Sequence, residues 1–310
     1  MKPDVPLVGP LERTLYLQSL AMFEGLRSSQ LARLAQLMRE EYVAEGAVLY
    51  REGEPPSALY LLVDGSVANL RGGRIVYTQE GPATTGMSAL LGGRVASLEV
   101  VAQTGLTTLV VDGNAFLDLI EDHFDVYLHF RSLYAKRVAV LQKETKVFHT
   151  VRAESGALDL LEPKGMVERL LSMRKSVVFA DVSVNALAQM IHGNDDLRVD
   201  ADTEIWREGE IGRFLVLIMR GEVECAVARE GGGFFAGPGY VLGADATFGG
   251  IPYAYSARSV TPVVALQIDA AVLTDIKEDH FDFALSTLAH FAREEVRLLE
   301  CKANLAGGGL

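Results

Sequence analysis

The chain has 310 residues, of which 49% are hydrophobic and 23% charged, and a formal net charge of −12. That length allows two domains of ordinary size, each burying a core without disulfides, while the acidity repels a phosphate backbone and excludes nucleic acid as an expected direct partner. The longest apolar runs, such as Leu59–Val63, are strand-sized and far short of the roughly 20 residues of a membrane span, so membrane insertion is not expected.

Residues 1–15 read as an N-terminal extension. Their prolines and early acids replace the basic region and apolar run of a signal peptide, and a cytoplasmic location is expected. FEGLRSSQLARLAQLM (Phe23–Met38) then reads as an aromatic, a short turn and an amphipathic helix. Strand signals follow in AVLYREG, ALYLLVDGSVANL, RIVYTQ, SLEVVAQT and TTLVVD, each bounded by Gly, Pro or charged residues. A helix from about Phe124 to Phe148 closes this half. Tyr127, Phe130, Tyr134, Val138 and Leu141 fall at intervals of three and four along it and form one apolar stripe.

The same text then recurs. REGE at Arg51–Glu54 returns at Arg207–Glu210, an offset of 156 residues, and Gly65 and Gly221 follow the two copies at equal distance. Phe23–Met38 meets Phe179–Ile191, Leu109–Asp112 meets Leu266–Asp269, and Ile120–Asp125 (IEDHFD) meets Lys277–Asp282 (KEDHFD). Leu285, Leu288, Ala292, Val296 and Leu299 give the second long helix its stripe. The duplicated unit is therefore a whole domain: 16–148 and 166–300, joined by a linker at 149–165 whose Gly156, Pro163 and Gly165 break helical text, with a frayed tail at 301–310. The expected class is α+β, mainly β, with two tandem jelly rolls flanked by helices.

The reading of single features is mostly structural. REGE is expected to be a turn whose glycine bends the chain and whose charges are solvated. In EDHFD, consecutive residues at a helix start point in different directions, so no metal is expected, and the acids suit the helix dipole. His129, His149, His192 and His290 show neither HxH nor HExxH spacing. Gly231–Gly233 and Ala236–Gly243 lack the context of a dinucleotide site or P-loop. Cys225 and Cys301 read as two reduced thiols. No catalytic triad or Cys–His arrangement assembles, so no enzyme is expected.

Taken together, the helix, FEGL, second helix, apolar pair before REGE, glycine-ended strand and long closing helix resemble a cyclic nucleotide-binding domain, over residues 16–148 and 166–300. Tandem pairs resemble regulatory subunits of cyclic-nucleotide-dependent kinases; single copies resemble catabolite-activator-type regulators. The resemblance implies a phosphate-binding cassette in which backbone N–H groups cradle the cyclic phosphate, an Arg neutralises it and a Glu fixes the ribose 2′-hydroxyl. This chain departs from both diagnostic residues. In the first cassette Gly86 matches the family glycine, but Met87 stands for the Glu, followed by Ser88 and Ala89. Without a gap the Arg position is Ala96; with a loop two residues shorter, Arg94-Val-Ala-Ser97 is the matching segment. In the second cassette Gly243 is followed by Ala244 at the Glu position and Asp245, with Tyr253 at the Arg position and Ser256 beyond.

The resemblance thus implies a non-catalytic regulatory or adaptor protein acting through protein contacts. Nucleotide binding is expected to be lost in the second domain and weak or lost in the first, with no cofactor. The alternative is a second-messenger sensor holding cAMP, cGMP or another cyclic nucleotide in the first domain. A helix-turn-helix is not expected, because the second long helix ends in AREEVRLLECKANLAGGGL. The stripe Tyr127–Leu141 is expected either to form a homodimer or partner seam, or to pack within the chain against Met166–Met173 and the second domain.

Overall fold

The computed structural model describes residues 7, 9–91, 95–147, 165–176, 178–180, 182–192, 196–228 and 232–307. The first repeat opens with α1 (Pro10–Gln18), a 3-10 turn (Ala21–Phe23) and α2 (Ser28–Leu37). Eight strands follow: β1 (Arg39–Val43), β2 (Val48–Tyr50), β3 (Ala58–Asp64), β4 (Ser66–Arg71), β5 (Arg74–Glu80), β6 (Ala83–Thr85), then β7 (Glu99–Ala102) and β8 (Leu106–Asp112). Between β6 and β7 lies α3 (Met87–Leu91), and α4 (Gly113–Asp122) and α5 (Phe124–Thr145) close the repeat.

The second repeat writes the same order. It has α6 (Met166–Lys175), α7 (Val184–His192), β9 (Asp196–Val199), β10 (Glu204–Trp206), β11 (Phe214–Arg220), β12 (Val223–Val227), β13 (Gly232–Ala236) and β14 (Val241–Leu242). After these come α8 (Ala244–Gly249), β15 (Ser256–Ser259), β16 (Val263–Asp269), α9 (Ala270–Asp279) and α10 (Phe281–Gly307).

Each repeat folds into two antiparallel four-stranded sheets. The first has orders β1-β8-β3-β6 and β2-β7-β4-β5; the second has β9-β16-β11-β14 and β10-β15-β12-β13, strand for strand the same topology. This is the tandem jelly-roll fold expected from the sequence. The central strands carry the most apolar text, LYLLV in β3 and FLVLIM in β11, and are buried along nearly their whole length, as strands covered on both faces must be. Two strands of the first repeat carry little signal. REEYV in β1 is a polar strand at the end of its sheet, and β6 has only three residues.

The repeated short motifs have structural work in both copies. At the junction before each long helix, Asp125 pairs with Arg27, the residue capping α2, and Asp282 accepts from the N–H of Ser183, just before α7. EDHFD thus ties each long helix to the helical pair that opens its repeat. The glycines after REGE are equally constrained. Gly65 (φ +96°) and Gly221 (φ +90°) stand where a Cβ would lie 2.6 Å from Gly105 O and 2.4 Å from Pro262 O.

Several boundaries differ from those expected. Residues 1–15 are not a plain extension, because Pro10 at the first helical position starts α1, and Arg13 ties it to the carbonyls of Leu7 and Met38. α5 ends at Thr145, with Lys146 in the left-handed region, and the proposed linker 149–165 lies outside the described residues except for Gly165. The expected tail at 301–310 is helical to Gly307, since Cys301–Ala306 contains good helix formers, and residues 308–310 lie outside the described residues.

The compact units also differ from the repeats: one comprises 1–130 and 295–310, the other 131–294. The end of α10 therefore belongs to the first unit. There Arg71 at the end of β4 donates to Glu300 at 2.8 Å and to Ser97 O at 3.1 Å. Burial raises the Glu300 carboxyl and Arg71 opposes that rise.

The five stripe residues Tyr127, Phe130, Tyr134, Val138 and Leu141 are all buried within the chain, none more than 8% exposed. Phe130 meets Phe116 and Phe23 edge-on, with ring centroids 5.5 and 6.4 Å apart. The partner-seam expectation for this stripe is corrected accordingly, since the side chains it relied on already have their burial in the chain.

Gly221→Ala is expected to destabilise its sandwich by more than about 2 kcal/mol, because it adds both a clash with backbone and a forbidden φ. Urea unfolding checks this, and a loss below about 0.5 kcal/mol would contradict the close approach at Pro262.

Candidate functional site

Each cassette is placed by the REGE turn. In the first repeat the Gly53 N–H donates to Ala96 O and the Ala96 N–H to Glu54 O, both at 2.8 Å; in the second, Gly209 N–H donates to Tyr253 O at 3.0 Å and Tyr253 N–H to Glu210 O at 2.8 Å. The glycines take φ +84° and +89°, which lets the turn present its N–H to the cassette exit. The first Glu of each REGE is not merely solvated, as expected from sequence. The Glu52 carboxylate accepts from Gly72 N–H at 2.8 Å and Glu208 from Ala228 N–H at 2.7 Å, fixing the equivalent hairpins.

These paired bonds make Ala96 and Tyr253 equivalent positions, the alignment without a gap. Arg94, with Gly92 and Gly93, lies outside the described residues. Ala96 is buried and Ser97 is exposed, its carbonyl held by Arg71.

The cassette glycines are equivalent as well. Gly86 and Gly243 both have positive φ, and the N–H of each donates at 3.1 Å to a phenol oxygen: Tyr50 in the first repeat, Tyr255 in the second. Tyr50 also shares a 2.8 Å hydrogen bond with Thr85. Burial pushes both phenols above their ordinary range, Tyr255 well above it, so each remains neutral. Met87 is buried at the start of α3, while Ser88 and Ala89 are half-buried. Ala244 is buried at the start of α8, with Asp245 beside it.

The cassettes differ in what faces the glycine. A Cβ on Gly243 would lie 2.9 Å from Tyr253 Cε1 and 3.5 Å from Trp206 Cη2. The Tyr253 ring stacks on Trp206 with centroids 4.4 Å apart and planes at 14°, and its hydroxyl donates to Phe214 O at 2.5 Å. Phe214, Phe234 and Tyr255 complete this aromatic set around buried Cys225. Burial is the main cause raising the Tyr253 phenol and the Cys225 thiol. Trp206 Nε1 donates to Tyr255 O at 3.0 Å, and Ser256 Oγ accepts from Glu208 N–H at 2.9 Å, so the polar groups here are spent on the fold.

In the first repeat the atoms nearest a Cβ on Gly86 would be Ala58 O at 2.7 Å, Leu59 Cα at 3.6 Å and Tyr50 Cε1 at 3.7 Å. The second cassette is thus filled by its own aromatics, whereas the first has only a methyl group at the matching position.

Sequence reasoning missed Tyr50, Trp206 and Tyr255. The signal for the first two was available, as an aromatic immediately precedes REGE in both copies. Tyr255 lies in the segment before β15, far from the position that matches Tyr50, so the repeat could not reveal its shared role. Among the described residues no cluster of three or more His, Cys, Asp or Glu could hold a metal ion, and no helix is long and apolar enough to cross a membrane.

A family model for the cyclic nucleotide-binding domain matches residues 40–123 and 196–280. No curated protein sequence matches at a significant level. Among solved structures, the chain is similar to the regulatory subunit of a cAMP-independent protein kinase A from Trypanosoma brucei, with 15% identity, 90% of this chain and 88% of that one covered, and a TM-score of 0.34. It is also similar to the regulatory domain of Toxoplasma gondii PKA (14% identity, 86% and 91% covered, TM-score 0.35). A third likeness is to the N-terminal domain of a transcriptional regulator from Streptomyces coelicolor A3(2) (18% identity, 41% and 93% covered, TM-score 0.38).

Tyr253→Ala is expected to destabilise the second sandwich by about 3–5 kcal/mol, the usual loss for deleting a buried aromatic. Trp206 is the sole tryptophan, so its emission reports the change directly. An unaltered unfolding midpoint would show that the stack does not fill the cassette.

Proposed function

Because the chain belongs to the cyclic nucleotide-binding domain family, we propose that it is a non-catalytic, cytoplasmic regulatory or adaptor protein acting through protein contacts. In this reading the second domain has given up its nucleotide. The observation that carries it is the Tyr253 ring, which lies against the cassette glycine and is stacked on Trp206. A phenol at the position where the family resemblance implies an arginine supplies no positive charge at neutral pH. Its burial against Trp206 also removes the space a nucleotide would need. Ala244, where the resemblance implies the ribose-binding carboxylate, offers no acceptor.

A second reading concerns the first domain alone. Position 96 carries only a methyl group where the second cassette has the Tyr253 ring, which favours the first cassette over the second for any residual ligand. In that reading the domain is a sensor of cAMP, cGMP or another cyclic nucleotide, with Arg94 the group that neutralises the phosphate.

Calorimetric titration of the full chain with cAMP, cGMP and cyclic dinucleotides separates the readings. The adaptor reading expects no saturable binding tighter than about 100 µM and no change in Trp206 emission. Tight binding that quenches or shifts Trp206 would place a ligand in the second cassette and overturn the reading at its root. Tight binding with Trp206 silent would support the sensor, and Arg94→Ala should then weaken it by about 1.5–3 kcal/mol.

A further inference from the structure

A small polar cavity lies where the second cassette meets the long helices of its own unit. Its polar walls are Asp245 in the first turn of α8, Gln142 on α5, His290 and Glu294 on α10, and Tyr255. It offers about 20 Å³ to the centre of a water-sized sphere, room for one small occupant and no organic ligand. Gln142, His290 and Glu294 are each no more than 4% exposed. The Gln142 Oε1 atom is buried without a hydrogen-bond partner, an arrangement that costs free energy unless a donor is supplied. Two carboxyl groups and an amide oxygen thus share one small space.

We propose that this cavity is a proton-linked lock: a proton carried by Asp245 keeps the second cassette seated on α5 and α10, and its loss loosens that seat. A neutral Asp245 carboxyl adds an O–H donor to a space crowded with acceptors. An ionised one places a second buried negative charge beside Glu294.

The groups facing Asp245 set the balance. Burial is the largest influence and raises its carboxyl above the ordinary value of 3.8; the amides of Ala246 and Asp245 pull it down, Glu294 raises it and Lys143 on α5 lowers it. His290 faces the same space from α10, and the Tyr255 phenol stays neutral. The sign follows from linkage. A carboxyl raised on folding contributes stability that is complete below its unfolded value and is lost as pH rises through the folded value. The lock therefore loosens as pH rises from the unfolded value to the folded one. A histidine acting through its own charge would lose its contribution when His290, not Asp245, is replaced.

Hydrogen exchange on the full chain, corrected for intrinsic rates, tests this at residues 243–250 and 285–294. Between the unfolded and the folded value, wild-type protection should fall roughly tenfold per pH unit, the slope for one proton, and it should level off above the folded value. Asp245→Asn should abolish that slope, and Glu294→Gln should move its upper end to lower pH. The proposal is overturned if Asp245→Asn keeps the wild-type slope, or if only His290→Gln removes it. Should Asp245→Asn fail to fold, the infrared carbonyl band of aspartic acid in isotope-labelled wild type replaces it. Loss of a protonated-Asp band must coincide with the pH at which protection levels off, and a chain whose aspartates all titrate near the ordinary value overturns the lock.

Discussion

Two backbone hydrogen bonds between the REGE turn and the residue leaving each cassette fix the geometry on which both sites depend. They are main-chain bonds, so they hold whatever side chain follows the cassette. Ala96 and Tyr253 therefore occupy the same place despite having no chemistry in common. Around that anchor the rest of REGE follows. The glycine is there because its φ is positive, the first Glu because a hairpin N–H needs an acceptor, and the aromatic before the motif because it packs toward the cassette glycine.

With the backbone held constant, divergence between the repeats falls on side chains. In the second repeat the space beside Gly243 is occupied by a phenol, an indole and their aromatic neighbours, so the cassette has become part of the hydrophobic core. In the first repeat the corresponding methyl leaves the glycine flanked by Tyr50 and main chain. Both repeats nevertheless bind the glycine N–H to a tyrosine hydroxyl, from β2 in one and from the segment before β15 in the other. The requirement to satisfy a buried N–H is conserved by physics even where the residue that meets it has moved.

Much of this was legible in the sequence. An offset of 156 residues between the REGE copies, strand-length apolar runs and the three-four spacing of the long helices together specify two jelly rolls, because those periods admit few alternatives. The choice between Ala96 and Arg94 was not legible, since it depends on a loop length that one sequence does not fix. Burial of the stripe from Tyr127 to Leu141 was equally hidden, because periodicity reveals an apolar face and not what covers it. The cavity of Gln142, Asp245, His290 and Glu294 draws on three separate elements, and each residue alone reads as an ordinary polar position on a helix. REEYV in β1 escaped because none of its five residues is fully buried, so it carries no hydrophobic alternation to detect.

The last turns of α10 belong to the unit that begins the chain, with Glu300 held by Arg71 and residues 131–294 intervening. A ribosome delivers residues in order, so the first unit emerges lacking one of its own helical segments and waits for that piece until residues 131–294 have been made. The second unit, continuous in sequence, has no such delay. Domain order in the gene is therefore the reverse of the order in which the two units can be completed. A nonsense codon near residue 295 would damage the half of the protein encoded farthest from it.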